Sequence, residues 1–283
     1  MKRTVYIMYA MLISVFASCS QNEMVEISPA KAVTLKVSTD ESALTRTPVY
    51  RYVIEVYSDN TYTTAANVFG SGATATNRTT NAIGEFSMTL DRTKAYYCLI
   101  WADKAGSDIY DVRSLKAVTL ESGETPTEAW HGTFTIAAGT SATLSATLKR
   151  AVSKITLLET GTILANSSLA IEFKQPSKFD VSTATASELS PRNETIDLTG
   201  GIAATSSSPA TLKTLYVLSS KATADVTDLT FTMSTSGVAE ASFAITNVPL
   251  QANYNTNIKG HYTSLRSSTF VVTYNNTWAD TDY

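Results

Sequence analysis

The chain has 283 residues, 22 basic against 25 acidic side chains and a net charge of -3. This balance offers no basic surface to dominate phosphate binding, which argues against nucleic acid as a partner. Two histidines and two cysteines far apart in sequence do not have the spacing of a zinc set, and no glycine-rich phosphate loop is present, so no cofactor is implied.

Residues 1–18 read as a secretory signal: Lys2 and Arg3 form the basic start, Val5 to Phe16 the apolar stretch, and Ala17-Ser18 the small-residue cleavage site. The apolar stretch is roughly a dozen residues, short of the roughly 18–20 that a membrane-spanning helix needs. Phe16-Ala17-Ser18-Cys19 resembles the bacterial lipobox, which implies lipidation of Cys19 and anchoring at the outer membrane. The alternative is an ordinary cleaved signal followed by an unmodified cysteine. Loss of Lys2 and Arg3 leaves 20 basic residues against 25 acidic ones, a net charge of -5. With Cys19 lipidated, Cys98 has no disulfide partner, and its apolar neighbours make it a small buried hydrophobe.

The rest reads as all-β, because apolar residues recur at period two and Thr, Ser, Val and Tyr abound. A polar tether leads to a first strand, Val33, Leu35 and Val37, with polar residues between. Asp40 to Pro48 is an exposed loop. Tyr50 to Tyr57 is a strand with Tyr50, Tyr52, Ile54 and Val56 on one face and Arg51, Val53, Glu55 and Tyr57 on the other. Phe69 to Asn81 reads as a long loop, Glu85 to Leu90 as a strand, and the apolar run Tyr96 to Ala102 as a central strand covered on both faces. Asp108 to Leu120 supplies an edge segment. Trp130–Ile136 and Ala142–Leu148 read as a hairpin turning at 138–140.

A junction is expected within Leu148 to Leu158, dividing the mature chain into sandwiches at 47–150 and 151–283, after a tether and first strand at 19–46. Beyond it, strands are expected at Val152 to Leu157, Ala170 to Lys174, Ile196 to Leu198, Thr211 to Leu218, Leu229 to Met233, Ala241 to Ile245, Asn257 to Tyr262 and Thr269 to Tyr274. Asp180 to Ser190 is polar enough for a loop or one short helix, and Gly200 to Pro209 reads as a flexible turn.

Val248 to Tyr262 (VPLQANYNTNIKGHY), Leu148 to Ile155 (LKRAVSKI), and Thr45-Arg46-Thr47-Pro48 followed by Tyr50 to Tyr57 stand out as a set. Together they resemble the fimbrillin-like surface lipoproteins of Bacteroidota, which build, cap or anchor type V pili. The resemblance implies two transthyretin-like, Greek-key β-sandwich domains, export as a lipoprotein, and adhesion at the outer surface with other fimbrial subunits as partners. It also implies proteolytic processing between Arg46 and Thr47. Cleavage there releases the strand of Val33, Leu35 and Val37, treated as an edge strand, and opens an apolar groove with unpaired backbone groups. The C-terminal segment, with Phe270, Val272 and Tyr274 on one face, is the natural donor to the groove of the next subunit. The alternatives are that Arg46 is a loop arginine, and that the chain is a monomeric surface lipoprotein that binds a host glycan or protein through its loops.

Enzymatic chemistry is not expected. A Ser-His-Asp group needs a base, and His131 and His261 read as surface or hydrogen-bonded residues. The acidic residues Asp103, Asp108, Asp280 and Asp282 lack calcium-loop spacing. Trp101 reads as core. Trp130 and Trp278 are the remaining candidates for a sugar-stacking platform.

Overall fold

The computed structural model describes residues 30–39, 50–221, 225–263 and 269–276, and nearly all regular structure in them is strand. The first half contributes β1 (Ala30–Thr39), β2 (Tyr50–Tyr57), β3 (Arg78–Asn81), β4 (Glu85–Asp91) and β5 (Tyr96–Lys104). It continues with β6 (Tyr110–Asp111), β7 (Val118–Leu120), β8 (Ala129–Ile136) and β9 (Leu144–Arg150). Seven of these strands form one sheet in the order β3-β2-β5-β8-β9-β1-β4. The two ends of the sheet face each other, so that Ile54, Val56, Ile100 and Trp130 meet Leu35, Val37, Phe86 and Met88 in a single core.

The second half follows after one residue. It comprises β10 (Val152–Glu159), β11 (Thr162–Ile163), β12 (Ser167–Asp180), β13 (Thr185–Leu198) and β14 (Ile202–Ala203). Then come β15 (Ala210–Leu218), β16 (Asp225–Thr235), β17 (Val238–Leu250), β18 (Asn255–Gly260) and β19 (Val271–Asn275). A four-stranded sheet, β15-β10-β18-β19, packs on a second one, β17-β16-β12-β7-β6, to which β13 adds through β12. Ile155, Leu215, Val217 and Ile258 from the first sheet meet Leu169, Ile171, Leu229 and Phe231 from the second. The architecture is therefore all-β, built from packed sheets.

The two halves also share a core. Val53, Leu99 and Trp101 emerge from the opposite face of β2 and β5 and pack with Val118, Val152, Phe179 and Leu218. Both faces of β2 are thus buried, with Tyr52, Ile54 and Val56 in one cluster and Val53 and Tyr57 in the other, as its alternation predicts. On the shared side Arg51 donates to both carboxylate oxygens of buried Asp103, and the Trp101 indole N–H donates to Asp103 Oδ2 at 3.0 Å. Strand β7 joins the second half's sheet through Lys178↔Thr119 and Phe179↔Val118.

Three sequence expectations are corrected. The loop expected at 69–81 ends in β3, which pairs with β2 from Glu55↔Arg78 to Tyr52↔Asn81. The loop or short helix expected at 180–190 is largely strand, because β13 pairs with β12 from Asp180↔Thr185 to Ser167↔Leu198. The hairpin expected at 130–148 is paired only at Trp130↔Arg150 and His131↔Lys149, and from there β9 turns to β1.

Candidate strand-exchange site

Strand β1 lies between β9 and the outer strand β4 of the first-half sheet. Its alternation of Val33, Leu35 and Val37 with Thr34 and Lys36 puts the three apolar side chains in the core. Burying each of them is worth about 1.5–3 kcal/mol. The backbone is paired on both sides, antiparallel to β4 from Ala30↔Asp91 to Lys36↔Glu85 and parallel to β9 from Leu35↔Leu144 to Thr39↔Leu148. The expected edge strand is therefore an interior one. Sequence order hid this, because the neighbours of β1 come from residues about 50 and 110 positions later, a non-local pairing that no local pattern encodes.

The turn before β4 fits β1 closely. Asn81 Oδ1 accepts from the Ile83 and Gly84 N–H groups at 3.2 and 2.7 Å, and its Nδ2 donates to the Glu85 carbonyl at 2.7 Å. This geometry aims the Gly84 carbonyl at the Val37 N–H, 2.7 Å away. Gly84 has φ +69°, and a Cβ there would lie 2.5 Å from the Val37 carbonyl oxygen, so only glycine suits the position. The Lys36–Glu85 ion pair at 2.8 Å is half exposed and adds little. A β1 that left this place would uncover the paired edges of β4 and β9 and the apolar floor between them.

The other end of the chain is placed differently. Among the described residues strand β19 is the outer member of its sheet and pairs only with β18, from Lys259↔Val271 to Asn255↔Asn275. Phe270, just before it, stacks on Phe243 at 4.8 Å and meets Tyr262 edge-on at 5.0 Å. It lies so close over Gly260 that a Cβ there would be 2.3 Å from the ring. Tyr274 stacks on Tyr254 at 4.7 Å and donates to Gln251 Oε1. Val272 is 38% exposed. Of the three expected donor residues, Val272 and Tyr274 thus lie on the edge strand and Phe270 just before it; the two aromatic ones act as pins and Val272 is at the surface. The expected lipidation at Cys19, the expected cleavage at Arg46-Thr47, and Trp278 lie outside the described residues.

Groups with chemical potential sit elsewhere. His261 is hydrogen-bonded as expected: Nδ1 pairs with Glu159 Oε1 at 2.7 Å and Nε2 with Thr263 Oγ1 at 2.8 Å. Buried Glu159 also accepts from the Thr160, Gly161 and Tyr262 N–H groups. His131 departs from expectation. It is neither on the surface nor hydrogen-bonded, since it is 5% exposed and both ring nitrogens lack a partner. It packs on Phe179 at 4.8 Å, and burial, assisted by Lys221, pushes its pKa down to about 4. Nothing in its sequence neighbourhood, Trp130-His131-Gly132, signalled this, because Phe179 arrives from the other half. Cys98 is a free buried thiol, and burial pushes its pKa up to about 12. Trp101 and Trp130 are both fully buried, so neither offers a ring to a sugar. Among the described residues no group of three His, Cys, Asp or Glu is placed to hold a metal ion, and no helix is long and apolar enough to cross a membrane.

A family model described as a family of unknown function, DUF6562, matches residues 15–282. No curated protein sequence matches the chain. Among solved structures, a candidate cell adhesion protein from Bacteroides eggerthii superposes with a TM-score of 0.53 at 12% identity, over 86% of this chain and 95% of that one. A candidate polysaccharide-binding protein from Bacteroides thetaiotaomicron gives 0.52 at 12% identity, over 87% and 96%. The fimbrial anchor protein Mfa2 from Porphyromonas gingivalis overlaps more loosely, 0.46 at 12% identity, over 88% and 98%. The first two share this chain's fold.

Proposed function

We propose that this chain, which belongs to the family of unknown function DUF6562, is a non-enzymatic cell-surface protein of adhesion: a fimbrial subunit, tip or anchor that assembles by β-strand exchange. The observation that carries the reading is the position of β1. It comes from the N-terminal end of the described chain yet lies inside a sheet, next to its outer strand, held by β4 on one side and β9 on the other. Between it and β2 lie Arg46 and Thr47. Cleavage there detaches an interior strand, and the empty place demands a replacement of the same direction, parallel to β9 and antiparallel to β4. In this scheme Cys19 carries the lipid that holds the uncut protein at the outer membrane, and the segment after Leu265 of another subunit is the donor. The fold shared with a candidate cell adhesion protein is consistent with the same role.

The donor segment brings Phe270 and Tyr274 toward places shaped by Val33 and Val37, and accommodating the larger rings costs about 1–3 kcal/mol if the groove stays rigid. Exchange therefore requires the β8–β9 pair, joined at only two positions, to open. The test is N-terminal sequencing and heat-resistant oligomer formation of the surface protein, with and without Arg46→Ala and with deletion after Leu265. Oligomers beginning at Thr47 that vanish in both variants are expected. A monomer beginning at Cys19 in every molecule overturns the reading.

A further inference from the structure

Glu159 closes β10, an interior strand of its sheet, and is fully buried. Its carboxylate has no part in the β1 slot, yet it accepts four hydrogen bonds. Oε1 takes the N–H groups of Thr160 and Gly161 at 2.8 and 2.7 Å and Nδ1 of His261 at 2.7 Å, and Oε2 takes the Tyr262 N–H at 3.0 Å. The first two shape the turn after β10, whereas the last two tie in residues 102 and 103 positions further along the chain. Charge-assisted bonds of this kind are roughly twice as strong as neutral ones, and a buried donor that loses its acceptor finds no water in exchange. The place is built for the pair: a Cβ on Gly161 would lie 2.5 Å from His261 Nδ1, so glycine leaves room for the imidazole. Tyr262 is itself fully buried, with its hydroxyl donating to the Ile258 carbonyl at 2.9 Å and its ring edge-on to Phe231 at 5.4 Å.

Eight positions later the hold is of another kind. Phe270 rests on Phe243 and Tyr262 through ring contacts, and among the described residues β19 has its single ladder to β18. These contacts can break without stranding a buried charge, whereas the Tyr262 N–H cannot leave without taking a bond from a buried carboxylate. We propose that Glu159 is a positioning residue that fixes the root of the donor strand at Tyr262, so that Phe270 and β19 leave their seat together while His261 and Tyr262 stay. The inference rests on the strand-exchange reading and gives it a length. Residues 263–269 separate root from donor, and eight Cα steps span at most about 28 Å. The β1 slot of the receiving subunit must then lie within that distance of Tyr262, and Glu159 sets the spacing of the two subunits.

Hydrogen exchange of the uncut full chain, read at single amides by NMR, tests the assignment without cleavage or assembly, so its outcome is independent of whether strand exchange occurs. The Tyr262 amide is expected to exchange with the protected core amides of β12, at least about a hundredfold more slowly than the slowest amide of β19. Tyr262 and β19 exchanging at one rate overturns the proposal. Glu159→Gln keeps the shape but turns an NH2 group toward one of the four donors. It is expected to speed Tyr262 at least about tenfold relative to the β12 amides, whereas a uniform rise in all amides makes Glu159 merely structural and overturns the role. Phe270→Ala leaves the carboxylate intact and decides the matter even if Glu159→Gln does not fold. It is expected to speed the β19 amides at least about tenfold relative to those of β12 with Tyr262 unmoved relative to them; Tyr262 speeding along with β19 overturns the proposal.

Discussion

Strands β1 and β19 are the first and last strands of the described chain, and they are held in opposite ways. β1 lies between two partners and buries Val33, Leu35 and Val37, whereas β19 has one partner and leaves Val271 and Val272 at the surface. An interior strand satisfies two backbone ladders at once. An edge strand contributes half as much and exposes the rest. A protein that ties its first described strand between two others makes the stability of that sheet depend on it, while the outer strand at the far end rests on a single ladder.

That contrast is open to direct attack. Removal of residues 1–46 is expected to have the largest effect. The three buried side chains of β1 are together worth on the order of 6 kcal/mol, comparable with the whole stability of many domains. The isolated truncated protein should lose its first cooperative unfolding transition or polymerise, as seen by calorimetry and size-exclusion chromatography. A truncated monomer with unchanged melting would end the idea that β1 completes the sheet.

Next in size is Leu35→Ala, expected to cost about 2–5 kcal/mol by leaving a cavity between the halves of the first core. Denaturant unfolding measures it directly. Acid comes third and sharpens the comparison, because His131 belongs to β8 at the short β8–β9 contact beside β1. Its folded pKa of about 4 lies below its ordinary 6.5, so the unfolded chain binds the proton first as pH falls. Its contribution to stability is full above pH 6.5 and is lost between there and pH 4, by up to about 3 kcal/mol. Hydrogen exchange at pH 5 against pH 7 should show β8 and β9 loosening while β19 is unchanged, and His131→Gln should remove the difference. The smallest effect is at the edge, where Val272→Ala is expected to stay within about 0.5 kcal/mol. A loss there as large as that of Leu35→Ala would mean that the two chain ends are not held differently after all.

The sequence made the strands legible where local pattern and tertiary demand agree. The alternation of Tyr50 to Tyr57 sorted its residues between the two faces of β2, and Tyr96 to Ala102 announced a strand covered on two sides. Only the last three residues of β13, Ile196 to Leu198, read as strand; the rest was hidden because Thr185 to Thr195 is polar and includes Pro191. Its order comes from its full-length pairing with β12 rather than from its own propensity. The site was less legible still. Val33, Leu35 and Val37 read correctly as buried, but their interior place depends on a parallel pairing with β9 that is set by topology. The unpartnered state of His131 likewise depends on Phe179 and Lys221, both brought from the second half.

Ala151 stands alone between β9 and β10, fully buried, its N–H bonded to the Ala129 carbonyl in the first half and its carbonyl to the Ser219 N–H in the second. A one-residue connection fixed from both sides cannot act as a hinge. The two sandwiches turn together as a lever, and the strand-exchanged thread proposed above would resist bending at its subunits and flex only at the joints between them.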